Sequence, residues 1–590
     1  MRAIISKQLL AYQVLMLLCA LLLAGCRGQS PAEPSGEPSQ EPSAEPSKEP
    51  VSDDPVSSDP SEDGPALQIL SFAVQEYPDA QVTIDQENST IAVIVPKGAP
   101  LSALTVVFTL PEGITSSPES GSVADLSKPL KIFLAAPSGE ARKYTVTASE
   151  APYTGTRLLQ LICEDFYTRV YVKDHDVHLS LPFGTDLSAV RLTSVLSEGA
   201  TGSPEVADAR EPFIYTVTAE DGVHKEEYLV TITLRPQDKG VRGVFLPDPS
   251  HTSSFMSRAS VQKSMALLKE LNFNCLYVCA WARSKAAWDS EVLLGSSTYG
   301  SLSQGNLYAS YPDGDALEDI ISEAHKAGIK VILWFEYGFM HSAGAVNWND
   351  PVLAAHPSWM GLGKDGKPAS YNGTDFYYNA YDPEVRTFML DLMEEALTKY
   401  PEVDGIQGDD RMPAMPRESG YNPSTVALYV SQTGNSAPTD DRDEQWSRWR
   451  LDILDGFAAQ MAALARSKGK IISFAPNKYP WCESVLMQNW PAWVQAGNVD
   501  ILNVQLYITG RYESDLADTL PYVGDAVFSP CMILKNGSAI MDPQMVADEW
   551  YANREGGTGC ESQFWFDGLL QKNIQDVFKV IYADKAIWPL

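Results

Sequence analysis

The sequence predicts a multidomain chain of two small all-β sandwich modules followed by a (β/α)8 TIM barrel, and three observations carry that expectation. Residues 95–119 and 181–205 repeat one another at a constant spacing of 86. All 13 tryptophans fall between Trp281 and Trp588, which divides the chain into two compositionally unlike parts. From residue 240 onward, short apolar runs alternate with amphipathic stretches, the pattern of a parallel sheet with crossover helices.

Size and charge narrow the function classes before any motif is considered. At 590 residues, 44% of them hydrophobic, the chain has material for several cores. A formal charge of -32 excludes nucleic acid as a general partner, because phosphate binding needs clustered Lys and Arg. A neutral or cationic ligand fits better.

The chain opens with "MRAIISKQLLAYQVLMLLCALLLAGC". Arg2 and Lys7 precede an apolar run that ends in Leu23-Ala24-Gly25-Cys26, so residues 1–26 are expected to be a lipoprotein signal peptide and lipobox. Cys26 is then the lipidation site and the attachment to a membrane. The alternative is an uncleaved spanning anchor, against which stand the short run and Gln13. Residues 27–65 form a Pro/Glu/Ser linker with almost nothing apolar to bury, expected to be disordered. In polyproline geometry some forty such residues reach up to ~120 Å. Together these segments place the protein at the bacterial cell envelope, lipid-anchored to the outer membrane on its periplasmic or cell-surface face.

The remaining cysteines, Cys163, Cys275, Cys279, Cys482, Cys531 and Cys560, show no framework spacing. Cys275 and Cys279 share one expected strand, where four residues span about 13 Å, too far for a disulfide. Six buried thiols are expected.

Residues 66–150 and 151–236 are expected to be the two β modules. Pro96, Gly98, Gly113 and Pro118 recur as Pro182, Gly184, Gly199 and Pro204, and the copies close on "KYTVTAS" and "EYLVTIT". Alternating runs between Gly, Pro and Ser turns specify small sandwiches. They resemble the immunoglobulin-like domains between anchor and enzyme in bacterial surface lipoproteins. Neither copy carries a tryptophan for stacking on sugar, which favours a spacer over a carbohydrate-binding module.

Residues 237–590 are expected to form the barrel. Strands are predicted at 241–246, 274–281, 329–335, 403–408, 470–475, 499–507, 525–534 and 560–566. Eight is the number a closed barrel needs. Helix signals fill the gaps: Asp382 caps and Pro383 opens a helix over 382–400, and Gly328 and Gly469 end helices over 315–328 and 445–469.

In such a barrel the chemistry lies at the carboxyl ends of the strands. "VDGIQGDDRMP" puts Asp409 there, on the same face as Gln407, with Asp410 opening the loop. The bland alternative is that the two aspartates bind Arg411 or cap the loop. Glu336, between Phe335 and Tyr337, supplies a third carboxyl at the next strand end. A carboxyl among aromatic rings loses hydration, and its pKa rises into the range of a proton donor. It serves equally as an acceptor for a sugar hydroxyl or a partner for Arg283. Trp281, Trp334, Tyr337, Tyr507 and Trp565 sit at or just past strand ends, and Asn477 and Gln505 offer amides. Aromatic faces stack on sugar C–H faces and amides read hydroxyls, although several of these rings also suit barrel packing. A carboxylate pair among aromatics fits glycosidic-bond hydrolysis, with Asp409 as nucleophile or base and Glu336 or Asp410 as proton donor.

The ordered segments "VRGVFL", "LKELNFNCLYV", "AHKAGIKVILWF", "YNAYDPEVRTFMLDLMEEALTKYPEVDGIQGDD", "WVQAGNVDILNVQLY" and "GCESQFWFDGLL" resemble the glycosyl-hydrolase-like 10 family. That resemblance implies a TIM barrel acting on bacterial envelope glycans, including denuded peptidoglycan strands. It makes Asp409 and Asp410 the family's paired aspartates. The chain departs from the family at Gln407 and Gly408, where a His and an aromatic are usual, and at Arg411, where a Tyr is usual.

Other chemistries find no motif. There is no nucleophile elbow, Walker loop or His-Glu-x-x-His, and His175 and His178 face opposite sides of a β segment. No metal and no cofactor are expected. The partner is an oligo- or polysaccharide, and the competing classes are a non-catalytic glycan-binding surface lipoprotein and a hydrolase of dietary or host polysaccharide.

Overall fold

The structure is a computed structural model that describes residues 66–302 and 305–590. The expected signal peptide, the Cys26 lipidation site and the Pro/Glu/Ser linker lie outside those residues. Among the described residues no helix is long and apolar enough to cross a membrane.

The N-terminal part is rich in β-strands and holds two separate cores. In the first, the sheet built on Ser71–Val74, Leu104–Thr109 and Ser122–Ala124 faces a five-stranded sheet around Ala141–Glu150. Alternate residues of both, such as Phe72, Val74, Ile91, Val93, Val106, Ile132, Tyr144 and Val146, meet in one cluster, the period-2 pattern of strands with one buried face. The second core, around Leu161, Val177, Leu179, Tyr215, Val217 and Val230, is built the same way. The sequence repeat is a structural repeat. Strands Thr90–Val95 and Thr115–Ser117 recur as Asp176–Leu181 and Thr201–Ser203, again 86 residues on. The first of each pair runs parallel to the last strand of its unit. Gly98 and Gly184 turn the chain at φ +78° and +80°, a conformation that disfavours any Cβ.

The second β unit is seated on the C-terminal part. Arg169 Nη2 meets Asp548 at 2.7 Å, Gln544 Nε2 donates to the Tyr167 carbonyl at 2.7 Å, and Tyr551 Oη donates to the Phe166 carbonyl at 2.9 Å. All three partners lie on the helix Pro543–Glu555.

The C-terminal part is built around one parallel sheet with helices packed on it. Hydrogen-bonded neighbours run Val527–Phe528, Ile501–Leu502, Ile471–Ala475, Gly405–Asp409, Lys330–Trp334, Cys275–Cys279, Arg242–Leu246, Glu561–Phe564 and Cys531–Ile533. Every pairing is parallel. All eight expected strand regions contribute, with two differences. The stretch expected at 525–534 is two segments separated by Ser529 and Pro530, because proline has no N–H to give a ladder. The stretch expected at 499–507 is regular only over Ile501–Leu502, although Gln505 still bridges Asn477 and Cys531. The helices Ala316–Ala327, Pro383–Lys399 and Glu444–Ser467 lie where their caps predict, and Asp382 accepts from the Glu384 N–H at 3.0 Å.

Side chains alternate along these strands. Val244, Leu276, Val278, Val331, Leu333, Ile406 and Ile472 pack with the helices, while Phe245, Tyr277, Ile332, Trp334 and Ile501 form a second cluster on the other face. That second face also carries a buried polar layer. Gln407 Nε2 donates to Ser473 Oγ at 2.8 Å and Asn503 Oδ1 at 2.9 Å, and Asn503 Nδ2 donates to Ser562 Oγ at 2.8 Å. All six cysteines after residue 150 are free and buried, as expected.

Candidate functional site

The carboxyl ends of the strands bring together groups from six stretches of chain. Asp409 is the last residue of Gly405–Asp409 and only 1% exposed. Trp334 Nε1 donates to its Oδ2, and the Asp410 N–H and Gln505 Nε2 (3.3 Å) donate to its Oδ1. Asp410, one residue further, is partly open. Arg411 Nη1 pairs with its Oδ1 at 3.0 Å and Asn477 Nδ2 donates to its Oδ2 at 3.3 Å. Arg411 Nη1 also donates to the Glu336 carbonyl at 3.2 Å, which ties the third strand's end to the fourth.

Two like charges side by side answer to their surroundings differently. Burial and the neighbouring Asp410 charge push the Asp409 carboxyl well above the ordinary aspartate range, against Arg411. Burial acts on Asp410 in the same upward sense, but Arg411, a hydrogen bond from Asp409, and Asn477 outweigh it and hold the carboxyl below its usual value. The surroundings therefore push the two carboxyls apart, Asp409 toward its neutral form and Asp410 toward its ionised form.

Glu336 follows Lys330–Trp334, with Cys279 as a hydrogen-bonding neighbour and the charge of Asp248 acting on it. Desolvation raises its pKa despite Arg411, and its Oε2 is buried without a hydrogen-bond partner. Arg283 is not its partner: the Arg283 guanidinium goes to Asp248 Oδ1 at 2.5 Å and Ser250 Oγ at 2.7 Å. Tyr337 lies between two cations, with the Arg283 and Arg411 guanidinium carbons 5.6 and 5.7 Å from its ring centre.

The remaining expected residues divide. Trp281 is not at a ligand surface; it is 1% exposed, donates through Nε1 to the Gly338 carbonyl at 2.9 Å and packs edge-on to Phe388. Trp334 is likewise buried, wedged between Phe245 and Phe564, so it holds Asp409 and offers no face to sugar. Asp409 itself has no side open to a reacting bond. Buried tryptophans at strand ends are what a large sheet uses to close its packing, and spacing does not distinguish that from ligand stacking. Asn477 and Gln505 reach the aspartate pair. Tyr507 stacks on Phe564 at 5.2 Å and meets Cys531 Sγ at 3.0 Å, and Trp565 carries Lys535 over its ring at 4.8 Å.

Sequence reasoning passed over Asp248, two residues beyond the first strand, which the strand-end rule would have found. It also passed over Tyr371, from the long loop after the third strand. Tyr371 Oη lies 3.5 Å from Asp375 Oδ2, and burial with the charges of Asp375 and Asp410 pushes its hydroxyl up to about 12.

Comparison with known proteins follows this geometry. Residues 240–520 match the family model described as Glycosyl hydrolase-like 10, and residues 69–148 and 164–232 match SGBP, N-terminal. Glycosyl hydrolase DigH of Escherichia coli strain K12 is 25% identical over 204 residues, covering 30% of this chain and 43% of that protein, as is its Shigella flexneri counterpart. The chain spans less than half the length of these curated relatives. Among solved structures, the PgaB (BpsB) glycoside hydrolase domain from Bordetella bronchiseptica superposes with a TM-score of 0.44 at 13% identity, covering 59% of this chain and 100% of that one. The catalytic domain of a Paenibacillus polymyxa beta-amylase gives 0.41 at 10% identity, covering 59% and 99%. Residues 240–520 are thus similar to the glycosyl hydrolase-like 10 family, behind an N-terminal part similar to the SGBP N-terminal type.

Proposed function

We propose that the protein is an envelope-anchored lipoprotein that hydrolyses O-glycosidic bonds in a bacterial cell-wall or extracellular glycan. One observation carries this: Arg411 pairs with the Asp410 carboxyl and donates to the Glu336 main-chain carbonyl, and the two carboxyls it links differ, Glu336 desolvated with a raised pKa and Asp410 held low. Glycoside hydrolysis needs such a pair, one acid and one base or nucleophile around an oxocarbenium-like state. Glu336 donates its proton to the departing oxygen. Asp410, kept ionised by Arg411 and Asn477, acts as base or nucleophile. Asp409 stays neutral and positions Asp410. Arg283, Tyr337, Tyr507 and Trp565 border the sugar.

The closed (β/α)8 form of the sheet belongs to the same proposal, with the barrel over 237–590 and the β modules over 66–150 and 151–236. Its support is that the two end segments of the sheet, Val527–Phe528 and Cys531–Ile533, are two residues apart in the chain. Bonds from Gln407 to Asn503 and from Asn503 to Ser562 also join strands that are not neighbours. The anchor through Cys26 rests on the lipobox, and the SGBP-type N-terminal part is consistent with an envelope location. Loss of metabolic fatty-acid labelling in Cys26→Ala is the expected result; retained label refutes the anchor.

The test of function is release of reducing ends from a panel of bacterial, dietary and host glycans by the full chain in detergent, with Asp410→Asn and Glu336→Gln as controls. Turnover lost in both variants is expected. Turnover equal to wild type in either removes that residue from the mechanism. A second outcome, binding without turnover, has its own support in the match of residues 69–148 and 164–232 to the SGBP N-terminal model, and it identifies a glycan-binding surface protein.

A further inference from the structure

We infer that the seam between the second β unit and the helix Pro543–Glu555 is a binding site for a neutral oligosaccharide, separate from the carboxyls at the strand ends. A cavity of about 580 Å³ lies in that seam, within the roughly 300–1,000 Å³ of ligand sites.

One face of each neighbouring element builds its walls. On the strand Thr168–Tyr171, Arg169 and Tyr171 are two residues apart and share a face, as do His178 and Ser180 on Asp176–Leu181. On the helix, Asp548, Tyr551 and Glu555 follow one another at helical spacing and line the opposite wall. Arg169 pairs with Asp548 at 2.7 Å, and Tyr551 gives its hydroxyl to the Phe166 carbonyl, so the two walls are held at a fixed separation.

Two features of these walls point to a ligand. Arg235 follows the unit's last strand, Lys225–Leu234, and only 19% of its side chain is exposed. Among the described residues its guanidinium has no hydrogen-bond acceptor, and its Nε is buried without a partner. The Tyr551 ring centre lies 5.4 Å from it and the Glu555 carboxylate 4.0 Å. A guanidinium carries five donor hydrogens, and polar groups so enclosed are ordinarily bonded. Tyr171 presents the converse, a ring left 74% exposed on a strand. The second β unit has no tryptophan, and this ring supplies the uncovered aromatic face that stacking on sugar requires.

The class of ligand follows from what the walls already hold. Asp548 faces Arg169 and Glu555 faces Arg235, so Arg235 lacks hydrogen-bond acceptors and not countercharge. Sugar hydroxyls supply acceptors without adding charge and donate in turn to Glu513, while a C–H face covers Tyr171. A second cavity, of about 360 Å³, has Glu513 and Asp548 in its wall as well. The groove therefore continues past these two residues toward Arg511 and Ser514, with room for several linked rings.

The full chain in a zwitterionic detergent, which brings no sugar headgroup, is titrated by calorimetry with hexasaccharides of β-1,4-linked glucose, α-1,4-linked glucose and β-1,4-linked N-acetylglucosamine. Tyr171→Ala, Tyr171→Phe and Arg235→Gln are titrated beside it, and their Tm values report folding. At least one hexasaccharide is expected to bind the wild type, about tenfold more weakly in Tyr171→Ala and Arg235→Gln and equally in Tyr171→Phe, which keeps the stacking face. Tyr171 is on the surface, so its variants decide the outcome even where Arg235→Gln loosens the seam. Reducing-end release by Tyr171→Ala, from any glycan the wild type cleaves, is expected to keep the wild-type kcat. A wild type that binds none of the three, or a Tyr171→Ala protein that binds them as the wild type does, overturns the site. Loss of kcat together with binding in Tyr171→Ala overturns its separation from the strand ends. Hydrolysis by a wild type that binds no hexasaccharide removes this site and leaves the hydrolase proposal standing; binding that needs Tyr171, with no glycan cleaved, does the reverse.

Discussion

Replacing each aspartate of the pair by asparagine separates two mechanisms that look alike in sequence. Burial and the Asp410 charge push the Asp409 carboxyl toward its neutral form, so Asp409→Asn is the smaller change in charge of the two. It changes the hydrogen bonds: Oδ1 and Oδ2 accept from Gln505, the Asp410 N–H and Trp334, and an amide NH2 in either position turns one of these contacts into donor against donor. One buried donor left unsatisfied costs about 1–3 kcal/mol of stability. The effect on rate is indirect, through the placement of Asp410, and about tenfold is expected. Asp410→Asn removes the charge itself and leaves Arg411 facing a neutral amide, and loss of an acting base or nucleophile costs roughly 10²–10⁴ in kcat. The assay is reducing-end release against pH, with urea denaturation of both variants. A larger loss of kcat in Asp409→Asn than in Asp410→Asn, at matched stability, would refute the assignment of proton and charge.

Arg411→Met removes the cation that holds the Asp410 carboxyl low, so that carboxyl titrates higher and the acid limb of the pH–rate profile moves up by about one pH unit or more; an unmoved limb argues against an ionised Asp410 as the acting group. Glu549, pushed up to about 8 by burial with Asp548 adding to it, is protonated in the fold where an unfolded glutamate is ionised, so its contribution to stability is full below the unfolded value of 4.5 and is lost as pH rises through 8. Glu549→Gln is therefore expected to be more stable than wild type by about 3 kcal/mol at pH 7 and equal to it near pH 4, read from denaturation curves at both pH values; a pH-independent difference contradicts the burial argument. Tyr551→Phe deletes the bond to the Phe166 carbonyl, worth about 1 kcal/mol, and limited proteolysis of residues 151–236 is expected to quicken. An unchanged cleavage rate would show that this bond does not hold the unit in its seat.

The sequence by itself determined the local elements, because they follow from rules that act over a few residues. Asp382 and Pro383 begin a helix whatever surrounds them, and Gly98 and Gly184 turn the chain at equivalent places in the two repeats. Alternation alone placed Gln407 and Asp409 on one face of their strand, and the strand-end rule gathered Glu336, Asp410, Asn477 and Gln505. Only the tertiary structure decided what each did there. Trp281 and Trp334 share spacing and composition with ligand-stacking residues, yet the packing around Phe388, Phe245 and Phe564 buries them. Adjacent Asp409 and Asp410 are indistinguishable as letters. Arg411 Nη1 lies 3.0 Å from Asp410 and 3.8 Å from Asp409, Asn477 donates to Asp410, and solvation energy, a property of the whole environment, pushes the Asp409 carboxyl up while Asp410 is held down.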